Sequence, residues 1–452
     1  MTNDFLPALL ARATETLQQE FAALPAFTPA ADSAAMEQIL LDVAHRLGDN
    51  YPYFHPLYAG QMLKPPHPLA RAAYALAMSV NPNNHARDGG RASSEMEIEA
   101  VRQIAAIFGW SEFLGHLTSG GTFANLEALW IAGQLNPGKR IVASEQSHYT
   151  HNRISAVLKL PYAPIPADHR GRMDLDALES ELKKGDVGTV VATLGSTAIG
   201  AVDPLDEILK LREKYGFRVH VDGAYGGYFR LIKDALDEPA RRACEVLDQA
   251  DSIVVDPHKH GLQPYGCGCI LFRDPSVGRF YKHDSPYTYF TSKELHLGEI
   301  SLECSRAGAS AVALWATQQL LPPVPGGAFA HGLEQGRLAA VELNRRLCDE
   351  SKGVFQTMRG GGPELDLVVW KVAAATAEEA SARAQQIFDK SAVQNLHLAL
   401  VQLPLTWFEG ETVNGTSAQG SVTCLRSVLM KPEHREWLDE IWQRLIAATA
   451  KG

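Results

Sequence analysis

Long apolar runs are missing from this 452-residue chain. Its hydrophobic stretches fall far below the roughly 18 consecutive residues that a membrane-crossing helix needs, so no membrane partner is expected. Tracts rich in Lys and Arg are missing too, and the formal net charge is -10. Nucleic acid and anionic membranes reward clustered basic side chains, so this balance argues against both. Cysteine is scarce. Cys244, Cys267, Cys269, Cys304, Cys348 and Cys424 are too few and too scattered for a disulfide framework. None falls in a CxxC pair or a Cys/His spacing suited to zinc, so no metal is expected. The opening residues, Met1 to Leu6, lack the basic flank and apolar core of a secretory signal. A reduced, cytoplasmic chain is the simplest expectation.

What is present suits a large packed protein. Apolar residues make up 46% and charged residues 21%, ample for a core and unlike a disordered chain. Residues 1 to about 50 read as helical, with Ile39, Leu40, Val43 and Leu47 at helical spacing. An aromatic and proline-rich segment follows, Tyr51-Pro52-Tyr53-Phe54-His55-Pro56 and then Pro65-Pro66-His67-Pro68, which predicts an extended arm. From about 95 to 275 helical and strand patterns alternate. "GTVVATL" (188–194), "FRVHVD" (217–222) and "SIVVD" (252–256) read as buried strands. Alternation of this kind predicts an α/β fold with a mainly parallel sheet covered on both faces. Ligands of such sheets bind at the carboxyl ends of the strands. After Pro322-Pro323-Val324-Pro325-Gly326-Gly327 the pattern changes to that of a smaller α+β unit. The expected division is an N-terminal helical arm (1–65), a large domain (66–325) and a small C-terminal domain (326–452).

Four motifs carry chemistry. "LTSGGTFANLEALW" (117–130) sets Gly120, Gly121 and Thr122 before an amphipathic helix, where free N–H groups and the helix dipole suit a phosphate. "SEQSHYTH" (144–151) holds His148 and His151 beyond a short strand. "HVDGAYGG" (220–227) places Asp222 at a strand end, where a carboxylate needs a cation or hydrogen bonds. "DPHKHG" (256–261) places Lys259 likewise, although lysine is rarely buried without a partner. Each alone reads equally as a helix cap, a core histidine or a salt bridge. Together they match one molecule, pyridoxal 5'-phosphate. Its phosphate suits the helix start, and its ring suits a stacked His148. Its ring nitrogen suits Asp222, and its aldehyde suits a Schiff base with Lys259.

The order and wording of these motifs, with "ATLGST" (192–197), resemble the group II pyridoxal-phosphate-dependent decarboxylases of fold type I. That family includes glutamate, aromatic-amino-acid, cysteine-sulfinate and diaminobutyrate decarboxylases, and the resemblance spans roughly residues 50 to 435. It implies decarboxylation of an L-amino acid to an amine and CO2 by a homodimer whose sites form at the subunit interface. It further implies that Gly121, Thr122 and His258 bind phosphate and that His148 stacks on the ring. Thr197 would lie near the ring hydroxyl, Asp222 at the ring nitrogen and Ala224 against the opposite ring face. A loop tyrosine, Tyr289 or Tyr287, would return a proton to Cα. Arg426 and Arg306 are the candidate substrate-binding cations, with Arg306 reading equally as a structural ion pair; His55 could receive an acidic side chain. Asp256 departs from members that carry a neutral residue there. A lyase or an aldehyde-forming variant uses the same Schiff base and is the alternative reading.

Overall fold

The computed structural model describes residues 5–27, 32–85, 89–282, 301–408, 412–413, 416–417 and 420–450. Seven strands form the main sheet: β1 (Leu114–Thr118), β2 (Arg140–Ser144), β3 (Tyr162–Ile165), β4 (Val187–Thr193), β5 (Arg218–Asp222), β6 (Ser252–Val255) and β7 (Gly268–Phe272). Their spatial order is β1-β7-β6-β5-β4-β2-β3. β7 runs antiparallel to both neighbours, and the remaining pairs are parallel. Every residue of β4 and β6 is buried, which explains their many valines and the isoleucine of β6.

Local chemistry sets the connections. The Leu205–Tyr215 helix between β4 and β5 stops at Gly216, whose φ of 69° is a left-handed C-cap. At Gly115 in β1 a Cβ would lie 2.5 Å from the Leu271 side chain, so only glycine lets β1 approach β7 this closely. Proline at 68 does not prolong the extended arm. It begins the Pro68–Met78 helix, where its missing N–H costs nothing.

A second sheet holds β8 (Phe355–Thr357), β9 (Leu367–Val372), β10 (Ala399–Pro404) and β13 (Ser421–Val428), in the order β10-β13-β9-β8 and all antiparallel. β11 (Thr412–Val413) and β12 (Thr416–Ser417) pair separately. Trp370, Leu343, Leu425 and Ile441 pack between this sheet and its helices. The aromatic arm lies against it: Ala59 N donates to His397 O at 2.9 Å and Val428 N donates to Ala59 O at 2.7 Å. The helices Leu6–Glu20 and Ser33–Leu47 bury no residue. The second starts from Asp32, whose carboxylate accepts from Ala35 N at 3.0 Å. No helix among the described residues is long and apolar enough to cross a membrane.

Register brings the chemistry to one rim. Thr193 at the end of β4 faces Asp222 at the end of β5, and Asp222 faces Val254, two residues before Asp256.

Candidate active site

A cavity of about 380 Å³ opens at this rim, between the strand ends and the start of the Gly121–Leu135 helix. Gly121, Thr122, His148, Asp222, His258 and Lys259 all line it.

Asp222 is 6% exposed. One carboxylate oxygen accepts from His151 Nε2 at 2.8 Å and from Asn125 Nδ2 at 3.3 Å; the other accepts from Ala224 N at 3.1 Å. Burial alone would raise its pKa. The hydrogen bond and charge of His151, with Lys259 nearby, outweigh that and hold Asp222 well below the usual carboxylate range. Behind this pair His220 Nε2 lies 2.8 Å from Asn125 Oδ1, and burial pushes its imidazole down to about 3. Asp222 is thus an anion built into the wall.

Lys259 follows β6 in a tight turn, its N–H donating to Asp256 O at 2.9 Å. Its Nζ lies 3.1 Å from Asp256 Oδ2, and His258 Nε2 lies 3.5 Å from that same oxygen. So the strand-end lysine is paired with the departing residue of its own motif. The carboxylate of Asp256 also crowds the helix start: a Cβ at Gly121 would meet Oδ2 at 2.7 Å. Gly120 before it has a φ of 154°, in the region that favours glycine.

His148 is half-buried, its Nδ1 2.8 Å from Thr150 Oγ1 and its ring 4.4 Å from that of Tyr149. Burial shifts its pKa down, which favours a neutral ring. Thr197 and Ala224 line the cavity as well. Arg426 stands behind this wall: Nη1 donates to Thr197 O at 2.8 Å and Nη2 to Gln61 Oε1. Its buried Nε has no hydrogen-bond partner among the described residues.

Two expected residues lie elsewhere. Arg306 is spent on a buried network, donating to Glu97 Oε1 at 2.5 Å, Leu117 O at 3.0 Å and Asn84 O at 3.0 Å. That is the structural ion pair the sequence left open. His55 accepts from Leu57 N at 3.1 Å and packs edge-on against Trp437, away from the cavity. Tyr287 and Tyr289 fall outside the described residues. Sequence reading gave no role to Asn125, Gln61 or the His151–Asp222 pair. Only the nearness in sequence of His151 to His148 hinted at the last.

The residues present fit pyridoxal phosphate. An ionised carboxylate, an imidazole, a primary amine and a glycine-led helix start share one cavity, and Lys259 and His258 stand beside the carboxylate of Asp256. Among the described residues no cluster of three or more His, Cys, Asp or Glu could hold a metal.

Comparison with known proteins agrees. The pyridoxal-dependent decarboxylase conserved domain matches residues 125–321. An L-tyrosine decarboxylase of Enterococcus faecium is 27% identical, across 74% of this chain and 72% of its own. A probable L-tyrosine/L-aspartate decarboxylase of Methanoculleus marisnigri is 30% identical, across 58% of this chain and 68% of its own. In fold, the chain matches mouse CSAD with a TM-score of 0.75 at 22% identity, covering 97% of this chain and 92% of that one. It matches Oryza sativa TDC, solved with PLP and tryptamine, with a TM-score of 0.76 at 17% identity, covering 99% and 94%. The chain belongs to the pyridoxal-dependent decarboxylase family, enzymes that use pyridoxal phosphate to remove CO2 from amino acids.

Proposed function

We propose that this enzyme decarboxylates an aromatic L-amino acid, tyrosine foremost, to its amine, with Lys259 as the residue that holds the cofactor. One observation carries the reading: Lys259, an ionised Asp222 and His148 converge on a single cavity at the strand ends. The substrate class draws support from Met62, Phe123 and Tyr149 on the same wall and from the tyrosine-decarboxylase names of the relatives.

Bound pyridoxal phosphate supplies an electron sink for the pair left behind when CO2 departs. The chain's residues prepare that sink. Asp222, kept anionic by His151, would hold a proton on the ring nitrogen. Thr122 and the backbone N–H groups at the start of the 121–135 helix would take the phosphate, with His258 beside them. His148 and Ala224 would flank the ring. Lys259 Nζ would hold the cofactor through its aldehyde and would first leave its pair with Asp256. Arg426, now bonded to Thr197 and Gln61, would receive the substrate carboxylate in a two-pronged grip once those bonds are released. Tyr289 or Tyr287 would return the proton to Cα. We read the chain as arm, large domain and small domain at the boundaries expected above, working as a cytoplasmic homodimer.

The test is CO2 release by the cofactor-loaded protein on a panel of amino acids: Tyr, Trp, dihydroxyphenylalanine, Glu, Asp, cysteine sulfinate, diaminobutyrate and His. Turnover of tyrosine with amine as product, abolished in Lys259→Ala, is expected. An enzyme that takes only an acidic substrate would overturn the substrate class, and no CO2 from any would overturn the reaction.

A further inference from the structure

A second cavity, of about 240 Å³, lies between segment 54–68 and the Ala328–Asp349 helix. Most of its wall is apolar, including Phe329, Leu333, Leu262 and Pro65. Its polar lining residues are Lys64, Lys431, His260, His67 and Glu433.

The two lysines are poorly matched to this setting. Lys431 is 3% exposed; its Nζ donates to Tyr58 O at 2.6 Å and lies 5.3 Å from the Tyr58 ring centre. Lys64 Nζ donates to Met430 O at 3.3 Å. Neither has a carboxylate in ion-pair contact among the described residues. An ammonium carries three donors, and a buried cation without a counter-ion is costly. Burial pulls Lys431 down to about 7 and Lys64 to about 8, outweighing the more distant charges of Glu433 on both and of Asp366 on Lys64. His260 adds an independent sign. It is 1% exposed, and both ring nitrogens lack a hydrogen-bond partner among the described residues. Nε2 is 3.5 Å from Asp366 Oδ2, which is close but not a hydrogen bond.

We propose that this cavity binds a small organic acid with an aromatic or aliphatic body, its carboxylate held by Lys64 and Lys431 beside His260. Charge complementarity selects the anion, and the apolar wall selects the body. The size agrees, since a cavity of roughly 150 Å³ already holds benzene. The ligand is distinct from the substrate: this cavity shares none of its lining residues with the cavity of Lys259, although His260 follows that lysine directly in the chain.

The experiment is calorimetry on the cofactor-loaded enzyme with phenylacetate as the probe, phenylacetamide as its neutral isostere and inorganic phosphate as an anion without a body. Phenylacetate should bind one per chain, and the other two at least about tenfold more weakly, the worth of a charged hydrogen bond. Lys64→Met and Lys431→Met should each weaken phenylacetate by a similar factor. Gly332→Met should do the same with both lysines intact, because a Cβ there points at Pro432 Cγ, 3.3 Å away in the same cavity. The Gly332 variant should keep its cofactor absorbance and turnover, which shows that it is folded. Three results would overturn the proposal: no phenylacetate binding, equal binding of phenylacetamide or phosphate, or binding lost in Arg426→Met but kept in Gly332→Met, which would place the acid in the catalytic cavity.

Discussion

Asp256 puts a carboxylate where the cofactor's phosphate is expected, against Gly121 and 3.1 Å from Lys259 Nζ. Replacing it with asparagine keeps the shape and removes the charge. The phosphate then meets less repulsion, and the lysine amine loses the carboxylate it contacts. Asp256→Asn should bind pyridoxal phosphate about fivefold more tightly, on the order of 1 kcal/mol, as measured by titrating the cofactor-free protein. Unchanged or weaker binding would mean that Lys259 and His258 already neutralise this charge. Asp222→Asn should act oppositely on function. The ring nitrogen loses its anion, so CO2 release at saturating cofactor should fall at least about a hundredfold. A loss of only severalfold would remove Asp222 from the role given it here. Both residues were visible in the sequence because a polar group closing a buried strand needs a reason. The pair of Asp256 with Lys259 was not, since it depends on a turn that folds residue 259 back over residue 256.

Elements differed in legibility for equally physical reasons. β4 and β6 are buried on both faces and spell it out in Val and Ile. β1 escapes such reading because Gly115 and the buried His116 break its apolar run, and β3 because it is a short, half-exposed edge. The 121–135 helix begins five residues before its first clear apolar periodicity, at glycines chosen for close approach rather than propensity. On that helix Glu127 joins elements far apart in sequence. It accepts from His116 Nε2 at 2.8 Å, Tyr281 Oη at 2.9 Å and Leu302 N at 3.1 Å, so it ties residues on both sides of segment 283–300. Burial opposes its charge, yet His116 and these donors keep its pKa below the usual value. Glu127→Gln removes the carboxylate that His116 Nε2, Tyr281 and Leu302 share. Urea unfolding should show a loss of about 3 kcal/mol; a change near zero would mean that the neutral amide satisfies the same partners.

Across the whole molecule, the cavity wall is closed by contacts that no local pattern announces. Arg426 reaches Thr197 across 229 residues and Gln61 across 365. The same long-range packing leaves histidines buried and neutral. His434 is fully buried, its Nδ1 accepting from Lys431 N at 3.2 Å, and burial, reinforced by the charge of Lys431, pushes it down to about 3. In the unfolded chain the same group titrates near 6.5. A histidine whose folded pKa is depressed contributes stability that is present above the unfolded value and is lost as pH falls toward the folded one. Between about pH 6 and 4 the unfolded chain binds a proton that the folded chain refuses, a loss approaching 1.4 kcal/mol per pH unit. Other buried groups titrate in this range, including Asp366, which burial raises to about 6 and which acts in the opposite sense. A comparison at one position cancels them. His434→Gln offers an acceptor but no titration, so it should be less stable than the parent at pH 7 and close that gap as pH falls to 4. Unfolding midpoints at four pH values decide it: parallel curves would mean that His434 takes up its proton in the folded state and that the acid sensitivity of this fold has another source.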